Sequence, residues 1–194
     1  MSKLNDKIGE KIASEQVNIV DNPFMKEGLS SRNFDSEGVA SKKTNIIQKG
    51  VLNTHLYNLK LAKKLNKNST GHGNKSSYKS TISIAPSNLY IEPTDVDYNN
   101  MVESLDKGLI ITELQGLHSG VNTVSGDFSL SAKGYFVENG KIKRAVNQIT
   151  VAGNFYEMLE NVEKVGSDLE FTMPSAGYIG SPTIKIKSLS IAGK

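Results

Sequence analysis

The chain has 194 residues, close to the ~150-residue size of a single domain, and 37% of them are apolar, enough to build a core. Its aliphatic runs are short (Leu109-Ile110-Ile111 is typical), far from the roughly 18 residues that cross a bilayer as a helix. Cysteine is absent, which excludes disulfides, thiolate nucleophiles and Cys-ligated zinc or iron–sulfur sites within the chain. The first residues carry charge without the apolar run of a secretory signal, so none is expected. Net charge is +3, but it is unevenly spread. Nine lysines and no acid lie between Ser41 and Lys79, whereas Ser80 to Leu130 holds seven acids and one lysine, Lys107. With only Arg32 and Arg144 as arginines, bidentate recognition of phosphate or guanine has little to draw on, and nucleic acid is not the expected partner.

In chain order, the spacing of Leu4, Ile8 and Ile12 predicts a short amphipathic helix. Val17 to Val20 reads as a strand ended by Asn22-Pro23, and Lys26 to Gly38 as a loop. Thr44 to Gln48 and Val51 to His55 form a hairpin about Lys49-Gly50. The second strand hands over to a helix along Leu52, Leu56, Leu59, Ala62 and Leu65, with Lys60, Lys63, Lys64 and Lys67 outside. Asn66 to Ser77 is polar and glycine-containing and reads as a mobile loop. Thr81 to Ile84 and Leu89 to Ile91 are strands separated at Pro86. Thr94 or Asp95 caps a helix running to about Lys107, stopped by Gly108.

Leu109 to Leu114 reads as a strand, and Phe128 to Val137 and Ile142 to Val151 as a hairpin about Asn139-Gly140, the strongest short-range hairpin signal in the chain. A last helix is predicted over Asn154 to Val165, and the alternation from Thr183 to Ile191 predicts one half-buried strand. Hairpins and a few helices without regular βαβ succession imply an α+β fold: a large mixed, mostly antiparallel sheet with flanking helices, in one domain over residues 1–194.

Catalytic signatures are sparse. The three histidines, His55, His72 and His118, include no His-Glu-x-x-His or His-x-His and read as surface or singly hydrogen-bonded groups, because zinc needs three or four convergent ligands. Gly-x-Ser-x-Gly is missing, so an elbow-type hydrolase has no support. Gly71-His72-Gly73 and Gly116-Leu117-His118-Ser119-Gly120 match no phosphate-binding pattern. In the second, the glycines serve either a bulge or tight bend, or a place where backbone meets a ligand or partner strand.

Larger stretches nevertheless carry a resemblance. Phe34-Asp35-Ser36-Glu37-Gly38-Val39, Gly50-Val51-Leu52, Ala62-Lys63-Lys64-Leu65, Ser69-Thr70-Gly71-His72 and Gly120-Val121-Asn122 occur in order. They are followed by Ser125 to Ser129, Val137 to Ile142, Ile149 to Asn154 and Val165 to Asp168. Together, over roughly residues 4 to 193, they resemble the C-terminal half of the TldD/PmbA family, also called modulators of DNA gyrase. The resemblance implies a cytoplasmic two-subunit zinc peptidase. TldD subunits bring a His-Glu-x-x-x-His helix and a C-terminal cysteine, and PmbA (TldE) subunits lack the histidine motif and pair with TldD. Thr70-Gly71-His72 and Gly120-Val121-Asn122 look closer to the PmbA branch, and Ser175 to Ser181, where a ligand cysteine is expected, holds Tyr178.

The resemblance therefore implies no metal ligand and no cofactor in this chain, with zinc in a TldD-type partner, and a heterodimer with that partner or a homodimer. It implies an unfolded peptide as substrate, a C-terminal domain whose N-terminal companion lies outside the chain, and no membrane. Thr70, Gly71, His72, Gly116, His118, Ser119, Gly120 and Asn122 are the candidates for lining the peptide chamber or the partner surface. On this reading a β-branched residue at Gly120 removes partner activity and leaves the fold intact. The alternative is a regulator acting on gyrase or nucleic acid through the Lys42–Lys79 block.

Overall fold

A computed structural model describes residues 3–173 and 177–193. In chain order the elements are β1 (Ile19–Asp21), β2 (Thr44–Gln48), β3 (Val51–Leu52), α1 (Leu59–Lys64), β4 (Gly73–Asn74), β5 (Ser83–Ile84), β6 (Asn88–Ile91), α2 (Tyr98–Glu103), β7 (Lys107–Gln115), β8 (Asp127–Glu138), β9 (Lys141–Asn154), α3 (Phe155–Glu160), β10 (Val162–Val165), β11 (Glu170–Phe171), β12 (Tyr178–Ser181), β13 (Ile184–Ile186) and β14 (Ser190–Ala192). A six-stranded mixed sheet runs β11-β12-β6-β1-β2-β3, its pairs antiparallel except β12 with β6. A four-stranded antiparallel sheet runs β14-β9-β8-β7, and β10–β13 and β4–β5 are two-stranded ribbons. The class is α+β, as expected, but the strands are shared among several sheets rather than gathered in one.

Both predicted hairpin turns are present. Lys49 and Gly50 have φ of 48 and 78°, and Asn139 and Gly140 have 50 and 67°. Two consecutive positive values match the right-handed twist of the flanking strands. Gly50 is also a point of close approach, since a Cβ there would lie 2.2 Å from the Ala13 carbonyl oxygen.

The predicted N-terminal helix is absent. Gly9 at φ +88° interrupts the stretch, and its backbone bonds to the β2–β3 hairpin instead: Ile12 and Ala13 N–H donate to the Gly50 carbonyl, and Gly9 N–H to Leu52. Ile12 enters the core while Ile8 stays exposed. A segment this short is marginal as a helix alone, so tertiary bonds decide its shape.

The three helices are each six residues long and capped by Asx side chains: Asn58 on Leu61 N–H, Asp97 on Asn99 and Asn100 N–H, and Asn154 on Tyr156 N–H. α2 starts later than predicted because the Thr94 hydroxyl is spent on the Val165 carbonyl and Val96 bridges to Gly166. α3 ends at Glu160, and the next residues turn into β10 so that Val162 and Val165 can enter the core. The predicted strand over 183–191 divides, β13 pairing with β10 and β14 with β9.

Two apolar clusters result. The first joins Ile12, Ala13, Val17, Ile47, Leu52, Leu159, Val162 and Val165. The second lies on the four-stranded sheet around Ala132, Val146, Ile149 and Val151, flanked by half-buried Leu109, Ile111, Phe128, Phe136 and Leu189. Leu52 is only 2% exposed, so Leu52→Ala is expected to cost about 2–5 kcal/mol in urea unfolding. Leu114→Ala, at an edge position, is expected to cost much less in the same measurement.

Candidate functional site

The polar stretch predicted as a mobile loop is pinned at its centre. Thr70, Gly71, His72 and Gly73 are buried, and His72 is 2% exposed. Its Nε2 donates to Asp21 Oδ2 at 2.9 Å, and its Nδ1 lies 2.8 Å from Thr70 Oγ1. Asp21, itself 1% exposed, accepts the Ser87 N–H on Oδ1 and the Ser87 hydroxyl on Oδ2, both at 2.7 Å. Thr70 Oγ1 accepts Tyr57 N–H at 2.7 Å. A buried chain of polar groups thus runs from the Tyr57 backbone through Thr70, His72 and Asp21 to Ser87.

Neighbouring loops hang on this clasp. Asp35, also buried, accepts Glu37 and Val39 N–H on Oδ1 and Gly73 N–H on Oδ2. Ser36 N–H donates to the Gly73 carbonyl, and Glu37 accepts the Leu59 N–H at the start of α1. Asn88, 0% exposed, donates to the Asn22 carbonyl and Ser31 hydroxyl and accepts Ser30 N–H. Ser87 passes the restraint on, its carbonyl accepting Tyr178 N–H where β12 begins.

The second group of candidate residues forms a separate, exposed turn at the end of β7. Gly116 has φ +86°, and its carbonyl accepts both Ser119 and Gly120 N–H. The glycine reading as a tight bend is the one observed here. Leu117, His118, Ser119 and Asn122 are exposed. Asn122 Oδ1 accepts Val124 and Ser125 N–H and so shapes the following turn. Hydrogen bonds from Ser125, first, and Asn154 hold the Asp127 carboxyl below the usual carboxylate range. Gly120, Val121, Asn122 and Asp127 border a shallow, open depression. A Cβ at Gly120 would lie 2.4 Å from the Ser129 carbonyl oxygen and 2.9 Å from Leu130 Cδ2. Substitution there disturbs the fold itself, which corrects the expectation that Gly120 is a purely functional position. Among the described residues no strand pairing or hydrogen bond joins the 69–73 and 116–122 segments.

The donor set does not fit zinc. His72 spends both ring nitrogens within the clasp, more than the single bond expected from sequence. His55 meets Tyr57 edge-on at 6.4 Å, and His118 is exposed. Among the described residues no three of His, Asp and Glu gather into a metal-holding group. Of the stretch where a ligand cysteine was expected, Ser175 and Ala176 lie outside the described residues. Tyr178 is half-buried and stacks on Phe171 with ring centroids 4.3 Å apart. All nine lysines of the basic block are exposed, and Lys43 pairs with Glu92.

Sequence reasoning missed Asp21, Ser87, Asp35 and Asn88. No local pattern marks Asp21, which sits one residue past the predicted Val17–Val20 strand where β1 is irregular between Ile19 and Val20.

With this geometry in hand, the chain can be placed among known proteins. Residues 1–193 match the family described as PmbA/TldA metallopeptidase C-terminal domain, and the chain belongs to that family. It is 34% identical over 191 residues to metalloprotease PmbA of Escherichia coli O157:H7, covering 98% of this chain and 39% of that protein. A Thermotoga maritima protein described as a proposed modulator of a DNA gyrase superposes with a TM-score of 0.90 at 38% identity, covering 98% of this chain and 42% of that one. TldE from Thermococcus kodakarensis gives a TM-score of 0.90 at 28% identity, covering 98% and 43%. The chain thus spans about two-fifths of the length of these relatives.

Removing one member of a buried hydrogen-bonded cluster leaves its partners unsatisfied, so Asp21→Ala and His72→Ala are each expected to cost about 1–3 kcal/mol in denaturant unfolding. Glu113→Ala, which removes an exposed pair with Lys133, is expected to change stability little in the same experiment.

Proposed function

We propose that this chain is the C-terminal domain of a PmbA/TldE-like subunit in a TldD–TldE-type metallopeptidase complex. It contributes subunit interface and a wall of the peptide chamber, and zinc belongs to the TldD-type partner. The observation that carries the reading is the match to Thermococcus TldE along 98% of the chain, to which the absence of cysteine adds support. The cytoplasm is the compartment this reading takes, with an unfolded peptide as substrate.

Within the reading, the two groups of candidate residues do different work. The exposed turn with Gly116, His118, Ser119 and Asn122 is the part a peptide or partner can reach, through backbone groups and short polar side chains. Thr70, Gly71 and His72 are buried and hold a wall in place rather than touch what passes it.

A second reading, a regulator acting on gyrase or nucleic acid, is favoured by the description of the Thermotoga relative and by the exposed lysine block. Lysine contacts to phosphates alone give sequence-blind, salt-sensitive binding.

The test uses the full-length parent as bait in a lysate of its source, with mass spectrometry of the retained proteins and a peptide-cleavage assay of the eluate. Recovery of a protein bearing His-Glu-x-x-x-His, with cleavage that depends on both, is the expected outcome. Recovery of gyrase subunits or DNA without such a protein overturns it in favour of the regulator.

A further inference from the structure

The hairpin turn at Asn139-Gly140 carries chemistry as well as shape. It is the one Asn-Gly step in the chain, and asparagine is among the thermally labile residues. A glycine successor has no side chain to hinder its own backbone nitrogen, so that nitrogen can close a five-membered ring on the asparagine side-chain carbon. Asn139 is exposed, with water at hand to finish the reaction.

The closed turn blocks the first step. Asn139 and Gly140 are held at φ of 50 and 67°, the left-handed pair of a two-residue hairpin turn. Asn139 N–H donates to the Asp106 carbonyl at 2.6 Å and Gly140 N–H to the Leu105 carbonyl at 2.8 Å. The attacking nitrogen therefore has its proton engaged and its peptide plane fixed. Both acceptors lie in the segment between α2 and β7. Gly140 sits against that segment, since a Cβ there would be 2.8 Å from the Glu103 carbonyl oxygen. Asn68-Ser69 is the natural comparison. Asn68 is exposed, its successor is also small, and the Ser69 N–H holds no hydrogen bond among the described residues.

We infer that Asn139 is a deamidation site gated by the segment between α2 and β7, converted by water only while the turn is released. In the released turn the Gly140 nitrogen gives up its proton to solvent and bonds to Asn139 Cγ. The bond from Cγ to the side-chain nitrogen breaks, and that nitrogen takes up a proton and leaves as ammonia. The succinimide then adds one water and opens to aspartate or isoaspartate, so an amide and water become a carboxyl group and ammonia. Isoaspartate lengthens the backbone by one carbon, which a two-residue turn cannot hold. It also adds a negative charge beside Glu138 and against the segment that bears Glu103 and Asp106. A chain whose hairpin end has opened is thereby marked and does not reclose.

The test incubates the full chain at mildly alkaline pH, folded or in concentrated urea, and follows each asparagine by digestion and mass spectrometry. Conversion at Asn139 is expected to be at least about tenfold slower in the folded chain than in the unfolded one, and that at Asn68 to change far less. Urea below the unfolding transition is expected to speed Gly140 amide exchange and Asn139 conversion in the same proportion. Equal Asn139 rates in the folded and unfolded chain, or Asn68 slowed by folding as strongly as Asn139, overturns the inference. So does Asn139 conversion that stays constant while Gly140 exchange rises, or that is absent even in the unfolded chain.

Discussion

A carboxylate shut away from water must find its hydrogen-bond donors inside the protein. Asp21 finds three: the Ser87 amide, the Ser87 hydroxyl and the His72 imidazole. Those donors come from segments 51 and 66 residues away in sequence, so satisfying one side chain fixes two distant pieces of chain against β1. The remainder of this half of the molecule is arranged around that requirement. His72 brings Thr70 and, through it, Tyr57; Gly73 brings Asp35 and the 34–40 loop; Ser87 brings the start of β12.

Such a network is a demanding way to hold loops. A fully satisfied set of polar groups confers a unique arrangement, whereas the same set with one member missing is worse than an apolar filling of equal volume. The benefit here is positional. Loops poor in apolar side chains cannot be pinned by packing, and three buried acceptors (Asp21, Asp35 and Asn88) pin them by direction instead. The exposed 116–122 turn is built differently, from a positive-φ glycine and backbone bonds within the turn itself. One region is a fixed scaffold and the other an accessible surface.

What could be read from the sequence follows the same line between local and distant causes. Hairpin turns at Lys49-Gly50 and Asn139-Gly140 were legible because two adjacent residues carry the whole conformational requirement. The α+β class was legible from the mixture of hairpins and short helical patterns, and family membership from motifs in order along the chain. The N-terminal segment, the end of α3 and the division of residues 183–191 were not, because each is decided by a partner far along the chain: Gly50, the first apolar cluster, and the separate sheets that claim β13 and β14. The burial of Thr70 to Gly73 escaped for a related reason. A count of apolar residues made the stretch a mobile loop, yet its anchors are polar groups supplied by Asp21, Asp35 and Tyr57. His72 was singled out, but its true partner could not be.

The most direct measurement of the clasp is amide hydrogen exchange at Ser87 and Gly73, whose N–H groups donate to Asp21 and Asp35. Exchange only through global unfolding, as slow as for the core strands, is what a buried and fully satisfied network predicts. Fast exchange at either amide, on the timescale of the exposed 116–122 turn, contradicts it.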